Sequence, residues 1–155
     1  MIICFVTMPG HAISQTGIDR IKFELTHSLR IPDYIVTIEM RKKKDMVFTH
    51  VTSDPMKKIN EWKHTVVDTS YSIDTSLFFR IAASLQKISK KDIENAGVDG
   101  LDGYTCMIAF GNEDSLSYYS VWSPDYATKK RKLSEFLAAC KLIIKTAGLK
   151  PKKIM

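Results

Sequence analysis

The stretch His64–Ile88, HTVVDTSYSIDTSLFFRIAASLQKI, contains the change of period on which the fold turns. Up to Ile73 it is β-branched and aromatic, the composition of a strand. Asp74 or Thr75 then offers a side-chain oxygen to cap a helix. Leu77, Phe78, Ile81, Leu85 and Ile88 follow at steps of three and four, one apolar stripe of an α-helix. A switch from period two to period 3.6 within one short segment places a sheet before Asp74 and a helix packed on it afterwards.

Upstream, Ile21, Phe23 and Leu25 alternate with Lys22, Glu24 and Thr26, and Tyr34, Val36, Ile38 and Met40 repeat the pattern after the break at Arg30-Ile31-Pro32-Asp33. Met46–Thr52 is a third strand, stopped by Ser53-Asp54-Pro55 because proline cannot donate to a ladder. A connection containing Trp62 leads into the strand His64–Ile73. The short connections favour an antiparallel meander. Downstream, Ser89 opens a short helical turn that ends at Gly97. Asp99-Gly100-Leu101-Asp102-Gly103 must turn. Tyr104–Phe110 and Leu116–Trp122 are strands joined across Gly111-Asn112-Glu113-Asp114 as a hairpin. The last helix carries Leu133, Phe136, Leu137, Cys140, Ile143, Ile144 and Ala147, with Gly148 as its stop. The expected fold is α+β: a mainly antiparallel sheet of about six strands, arranged as a four-stranded meander, a helix, a hairpin and a helix, with two main helices packed on one face.

The chain of 155 residues is the size of one domain, read as spanning 1–155 with residues 1–16 as an irregular lead-in or a first strand at Ile2–Thr7. Hydrophobic residues make up 45% and charged residues 26%, which argues against disorder and against a membrane protein. Ile2–Val6 is too short to span a bilayer, and without a preceding cation or a good cleavage site it makes a poor signal peptide. A cytoplasmic protein is expected. Cys4, Cys106 and Cys140 are odd in number, widely spaced and set in apolar stretches, so they are read as buried reduced thiols and not as a disulfide or zinc framework.

No glycine pattern for a phosphate or dinucleotide is present, and no cofactor, metal site or catalytic set is expected. His50 and His64 would oppose each other if their strands pair, the arrangement of a small metal-independent ribonuclease; as solvated sheet residues they need no function. His64 and Asp68 project from one face but stand about 13 Å apart along a strand. The two carboxylates of the Asp-Gly-Leu-Asp-Gly turn are too few for a calcium loop.

Charge is distributed unevenly within a formal net of +6. Asp92–Asp125 holds seven acidic residues and no cation, whereas Lys129 to the end holds nine basic residues and one acidic residue. Arg41, Lys42, Lys43 and Lys44 form a further basic block. With Lys129, Lys130, Arg131 and Lys132 it makes a candidate patch for nucleic-acid phosphates, although neither block carries aromatics for base stacking. Lys129–Lys132 are read as the first turn of the last helix, where the macrodipole disfavours cations by about 0.3–1 kcal/mol each. The other candidate surface is acidic and aromatic: Asp99, Asp102, Tyr104, Glu113, Asp114, Tyr118, Tyr119, Trp122 and Asp125, with Tyr126. Aromatic anchors ringed by carboxylates suit a basic protein partner. Alternation puts Tyr118 and Trp122 on one face, and the alternative reading makes that face the core under the helices.

Leu101-Asp102-Gly103 leading into a strand, the strand end Tyr119-Ser120-Val121-Trp122-Ser123-Pro124, and a closing amphipathic helix with Phe136-Leu137 and Leu142 to Leu149 resemble small bacterial immunity proteins of contact-dependent and polymorphic toxin systems. The resemblance covers the last third of the chain well and the meander in outline. It implies a non-enzymatic protein that binds a cognate toxin domain, a nuclease in the acidic-surface case, and occludes its active site. This chain departs from an acidic immunity protein in being basic overall.

Overall fold

The computed structural model of the chain describes residues 17–28, 34–41, 46–53, 67–98 and 100–155, with strand residues 41, 46–53, 67 and 68 described by backbone alone. Along the chain lie β1 (Arg20–His27), β2 (Tyr34–Arg41), β3 (Met46–Ser53), β4 (Val67–Ile73), α1 (Thr75–Gln86), α2 (Lys90–Asn95), β5 (Tyr104–Gly111), β6 (Leu116–Trp122), α3 (Ser134–Thr146) and α4 (Pro151–Ile154). The class is α+β with an antiparallel sheet. The strand order is β4-β3-β2-β1-β5-β6. The hairpin β5–β6 therefore returns to pair with β1, setting Phe23 between Val36 and Ile108 and leaving β6 outermost.

Alternation decides which face is buried. Ile21, Phe23, Leu25, Val36, Ile38, Cys106, Ile108 and Val121 are enclosed with Phe78, Ile81 and Leu85 of α1 and Phe136, Cys140, Ile143 and Ile144 of α3 in one core. Burying each large apolar side chain of this set is worth about 1.5–3 kcal/mol. Lys22, Glu24, Thr37, Met107 and Tyr118 fall on the opposite face.

The helix ends follow local chemistry. Asp74 caps α1 by accepting from the Ser76 amide at 2.7 Å, and Ser89 caps α2 through the Asp92 amide at 3.2 Å. Hydrogen bonding to Ser76 holds the Asp74 carboxyl below its ordinary value of 3.8. At the other end, Gly148 adopts φ +72°, the Gly148 amide donates to the Lys145 carbonyl at 3.0 Å and the Leu149 amide to that of Ile144 at 3.1 Å, closing α3 in a left-handed cap. Pro151 then starts α4, an element the sequence pattern did not announce, and Ile154 docks it into the core.

One expectation fails here. Lys129–Lys132 are not the first turn of α3, which begins at Ser134 after a buried Leu133. They belong to a run of turns in which Ala127 and Lys132 take positive φ. The first helical turn holds Glu135, which suits the macrodipole, so the expected electrostatic penalty does not arise. The strand-like run at Ile2–Thr7, Trp62 and His64 lie outside the described residues. Among the described residues, no helix is long and apolar enough to cross a membrane.

Candidate interaction surface at the hairpin

The β5–β6 turn is built by Asn112. Its backbone pairs with Ser115, and its Oδ1 accepts from the amides of Asp114 at 3.0 Å and Ser115 at 2.9 Å. This Asx geometry is a turn that Asn forms readily, and it leaves Glu113 and Asp114 exposed at the tip. Beside the tip, the Asp19 amide donates to Gly111 at 2.9 Å and the Asp19 carbonyl accepts from Met40 at 2.8 Å, drawing the lead-in to β1 between β2 and β5. A concavity of about 430 Å³ results, lined by Asp19, Arg20, Glu39, Met40, Asn112, Glu113 and Leu116. Arg20 pairs with Glu39 at 3.3 Å in an exposed bridge of little energetic weight. Three carboxylates against one guanidinium leave the hollow negative. Asp19 and Glu39 were missed by sequence reasoning; only the pairing of Arg20 with both Glu39 and Gly111 brings them here.

Leu116 lines this hollow and Tyr118 follows on the same face of β6, 62% and 61% exposed. The Tyr118 hydroxyl donates to the Met107 sulfur across the open face of the sheet. Tyr118 and Trp122 do share a face, as alternation requires, but it is the face away from the helices.

The other aromatic candidates separate. Tyr119 points to the helix side and packs edge-on against Phe110, ring centroids 5.5 Å apart. Tyr104 is buried beside His27 and belongs to the core, which removes it from the surface proposed for it. Its hydroxyl lacks a well-formed hydrogen bond, and burial, together with the Asp125 carboxylate nearby, pushes the phenol far up. Trp122 is half-buried, edge-on to Tyr126 at 6.3 Å. Its indole lies against the Asp-Gly turn so closely that a Cβ on Gly100 would stand 2.2 Å from Cζ2, and one on Gly103 2.8 Å. Both glycines are thus required by contact. Asp102 and Asp125 are exposed; Asp99 lies outside the described residues.

Of the two basic blocks, the described residues lie at opposite ends of the sheet. Arg41 ends β2 at the same end of the sheet as the β5–β6 turn, whereas Lys129–Lys132 follow the opposite end of β6. Lys42–Lys44 lie outside the described residues. Lys129, Lys130 and Lys132 are exposed, but Arg131 is a structural clamp: its Nε donates to the Ala96 carbonyl at 3.0 Å, Nη1 to Ser123 at 2.8 Å and Tyr126 at 3.1 Å, and Nη2 to Trp122 at 2.9 Å. One planar fork thereby ties the end of α2 to the end of β6. Arg131 is withdrawn from the basic patch for that reason. Lysines gather elsewhere, where Lys141, Lys145, Lys150, Lys152 and Lys153 surround a concavity of about 740 Å³ over Leu149, Pro151 and Met155, with Asp125 at its margin. The excess of basic residues from Lys129 onward was the sequence signal for it, with Lys141 and Lys145 at i, i+4 spacing.

His50 lies opposite Thr37 and Ser70 in the sheet. The expected juxtaposition with His64 lies outside the described residues. Among the described residues, no group of three His, Cys, Asp or Glu side chains is placed to hold a metal ion. Cys106 and Cys140 are buried free thiols, and burial, with Cys140 as neighbour, pushes the Cys106 thiol well up, the opposite of an activated nucleophile. No protein-family model, curated protein or solved structure matches the chain.

Proposed function

We propose that the chain is an immunity-type inhibitor, which binds a cognate bacterial toxin domain with nuclease activity and blocks its active site by surface complementarity alone. The frame we envisage is a four-stranded meander and a hairpin, covered on one face by two main helices. The observation that carries this reading is the pairing of exposed Leu116 and Tyr118 with the negative hollow of Asp19, Glu39 and Glu113. Apolar anchors supply burial, and the carboxylates complement the cations with which a nuclease holds phosphates. Asp102 and Asp125 add exposed carboxylates beyond the opposite, Trp122 end of β6. The natural test takes the toxin domain of a large secreted protein encoded immediately upstream, and measures its association with the chain and with a Glu113→Lys/Asp114→Lys variant. The variant lowers the association rate at low salt by about tenfold, with little change in thermal stability. Equal rates at low salt remove this surface.

A second reading, a nucleic-acid-binding module, is favoured by the lysine-rich concavity of α3 and α4, with exposed Lys129, Lys130 and Lys132 as further cations. It requires RNA or DNA binding that weakens steeply with salt, with a shallower salt dependence in Lys141→Ala/Lys145→Ala.

A further inference from the structure

Resting on the inhibitor reading, we propose that the outer edge of β6 receives an extended, lysine- or arginine-bearing segment of the partner as an additional β-strand. β6 is the last strand of the order. The Asn112–Ser115 pair and the Ser123 amide donating to Tyr104 fix the parity of the ladder, so Ser117, Tyr119 and Val121 bond to β5 while Leu116, Tyr118, Ser120 and Trp122 turn their backbone groups outward. The Trp122 carbonyl is taken by Arg131. Among the described residues, nothing pairs with the outward groups of Leu116, Tyr118 and Ser120.

Natural edges are blunted by lysine, proline, bulges or a covering element. β6, LSYYSVW, has no charge and no proline, and its register with β5 runs unbroken from Trp122 to Leu116. Among the described residues, α2 covers its far end alone, leaving a cleft of about 80 Å³ beside Ser120, Val121 and Trp122. The open stretch is an unprotected template for strand addition.

Charge selects the occupant. Glu113 and Asp114 stand at the start of the open stretch, next to the hollow of Asp19 and Glu39, and Tyr118 presents a ring face for a cation. A second copy fits less well: antiparallel pairing about Tyr118 would set Glu113 and Asp114 against Trp122 and Ser123, which carry no cation. A basic strand satisfies both the backbone and the carboxylates.

The test uses the full chain and a capped peptide of alternating lysine and threonine, long enough to span Leu116–Ser120. Residue-resolved amide exchange of the free chain is expected to show slow Ser117, Tyr119 and Val121 against fast Leu116, Tyr118 and Ser120, and peptide binding is expected to slow the fast set. Ser120→Pro, whose lost amide faces outward, should weaken peptide binding at least about fivefold, with Ser120→Ala unchanged. Slow exchange of the outward set in the free chain shows the edge already occupied and overturns the proposal. So does an absence of peptide binding, or binding without protection of these amides. Because the exchange pattern needs no variant, it decides the matter even if Ser120→Pro fails to fold. Binding weakened by Glu113→Lys/Asp114→Lys but lacking amide protection removes strand addition while leaving the acidic-surface reading intact.

Discussion

At its Trp122 end β6 is roofed by the Asp-Gly turn, flanked by α2 and held by the Arg131 fork; at its Leu116 end the same strand presents exposed apolar side chains and outward backbone groups beside carboxylates. The first end is determined by contacts that any change must break. The second makes few such contacts, so its residues contribute little to folding and are available for recognition. Within one strand, then, the polar groups that are satisfied mark structure, and those left open mark the candidate interface.

That contrast is sharpest at Arg131. Arg131→Ala leaves the carbonyls of Ala96, Trp122 and Tyr126 without this donor, and that of Ser123 with the Tyr126 amide alone, and is expected to lower stability by about 2–4 kcal/mol in urea unfolding. Lys130→Ala, an exposed neighbour, should shift it by less than about 0.5 kcal/mol. Equal effects for the two would erase the distinction drawn between clamp and patch.

Gly100→Ala is expected to follow with a loss of about 1–3 kcal/mol, since its new Cβ would overlap the indole, and with a red-shifted tryptophan fluorescence as Trp122 is displaced toward water. Unchanged emission and stability would mean that the turn does not press on Trp122.

The smallest effect belongs to Asp74. Because its carboxyl titrates lower when folded than when unfolded, its contribution is fully present above the ordinary value of 3.8 and fades as pH falls through the lower folded value. Asp74→Asn keeps a capping oxygen without the titration. The difference in melting temperature between the native chain and this variant should therefore shrink as pH drops below about 4. A difference independent of pH would show the cap acting through shape alone.

Much of the framework was legible beforehand. Leu116–Trp122 was bounded by Asn112 on one side and Pro124 on the other, and Asp74, Ser89 and Gly148 announced helix ends because their chemistry is local. The candidate site was legible only in part. Glu113, Asp114 and Tyr118 were singled out by composition and stand exposed, but Tyr104, equally aromatic and equally close to carboxylates, went into the core along with Cys106 and Ile108 on its side of the strand. Lys129–Lys132 looked uniform because formal charge does not distinguish a fork that reaches carbonyls from ammonium groups in solvent. Asp19 and Glu39 were invisible as partners of Glu113, lying 94 and 74 positions away in sequence.

By itself the sequence determined the periods, the caps and the turns, since each depends on residues within a few positions of one another. Only tertiary structure decided that β5 returns to β1, that β6 is left at the edge, that one arginine of a basic run is a clamp, and that carboxylates from three distant segments share a hollow. These depend on register between strands that are remote in the chain, and register is set by how the whole buried face packs.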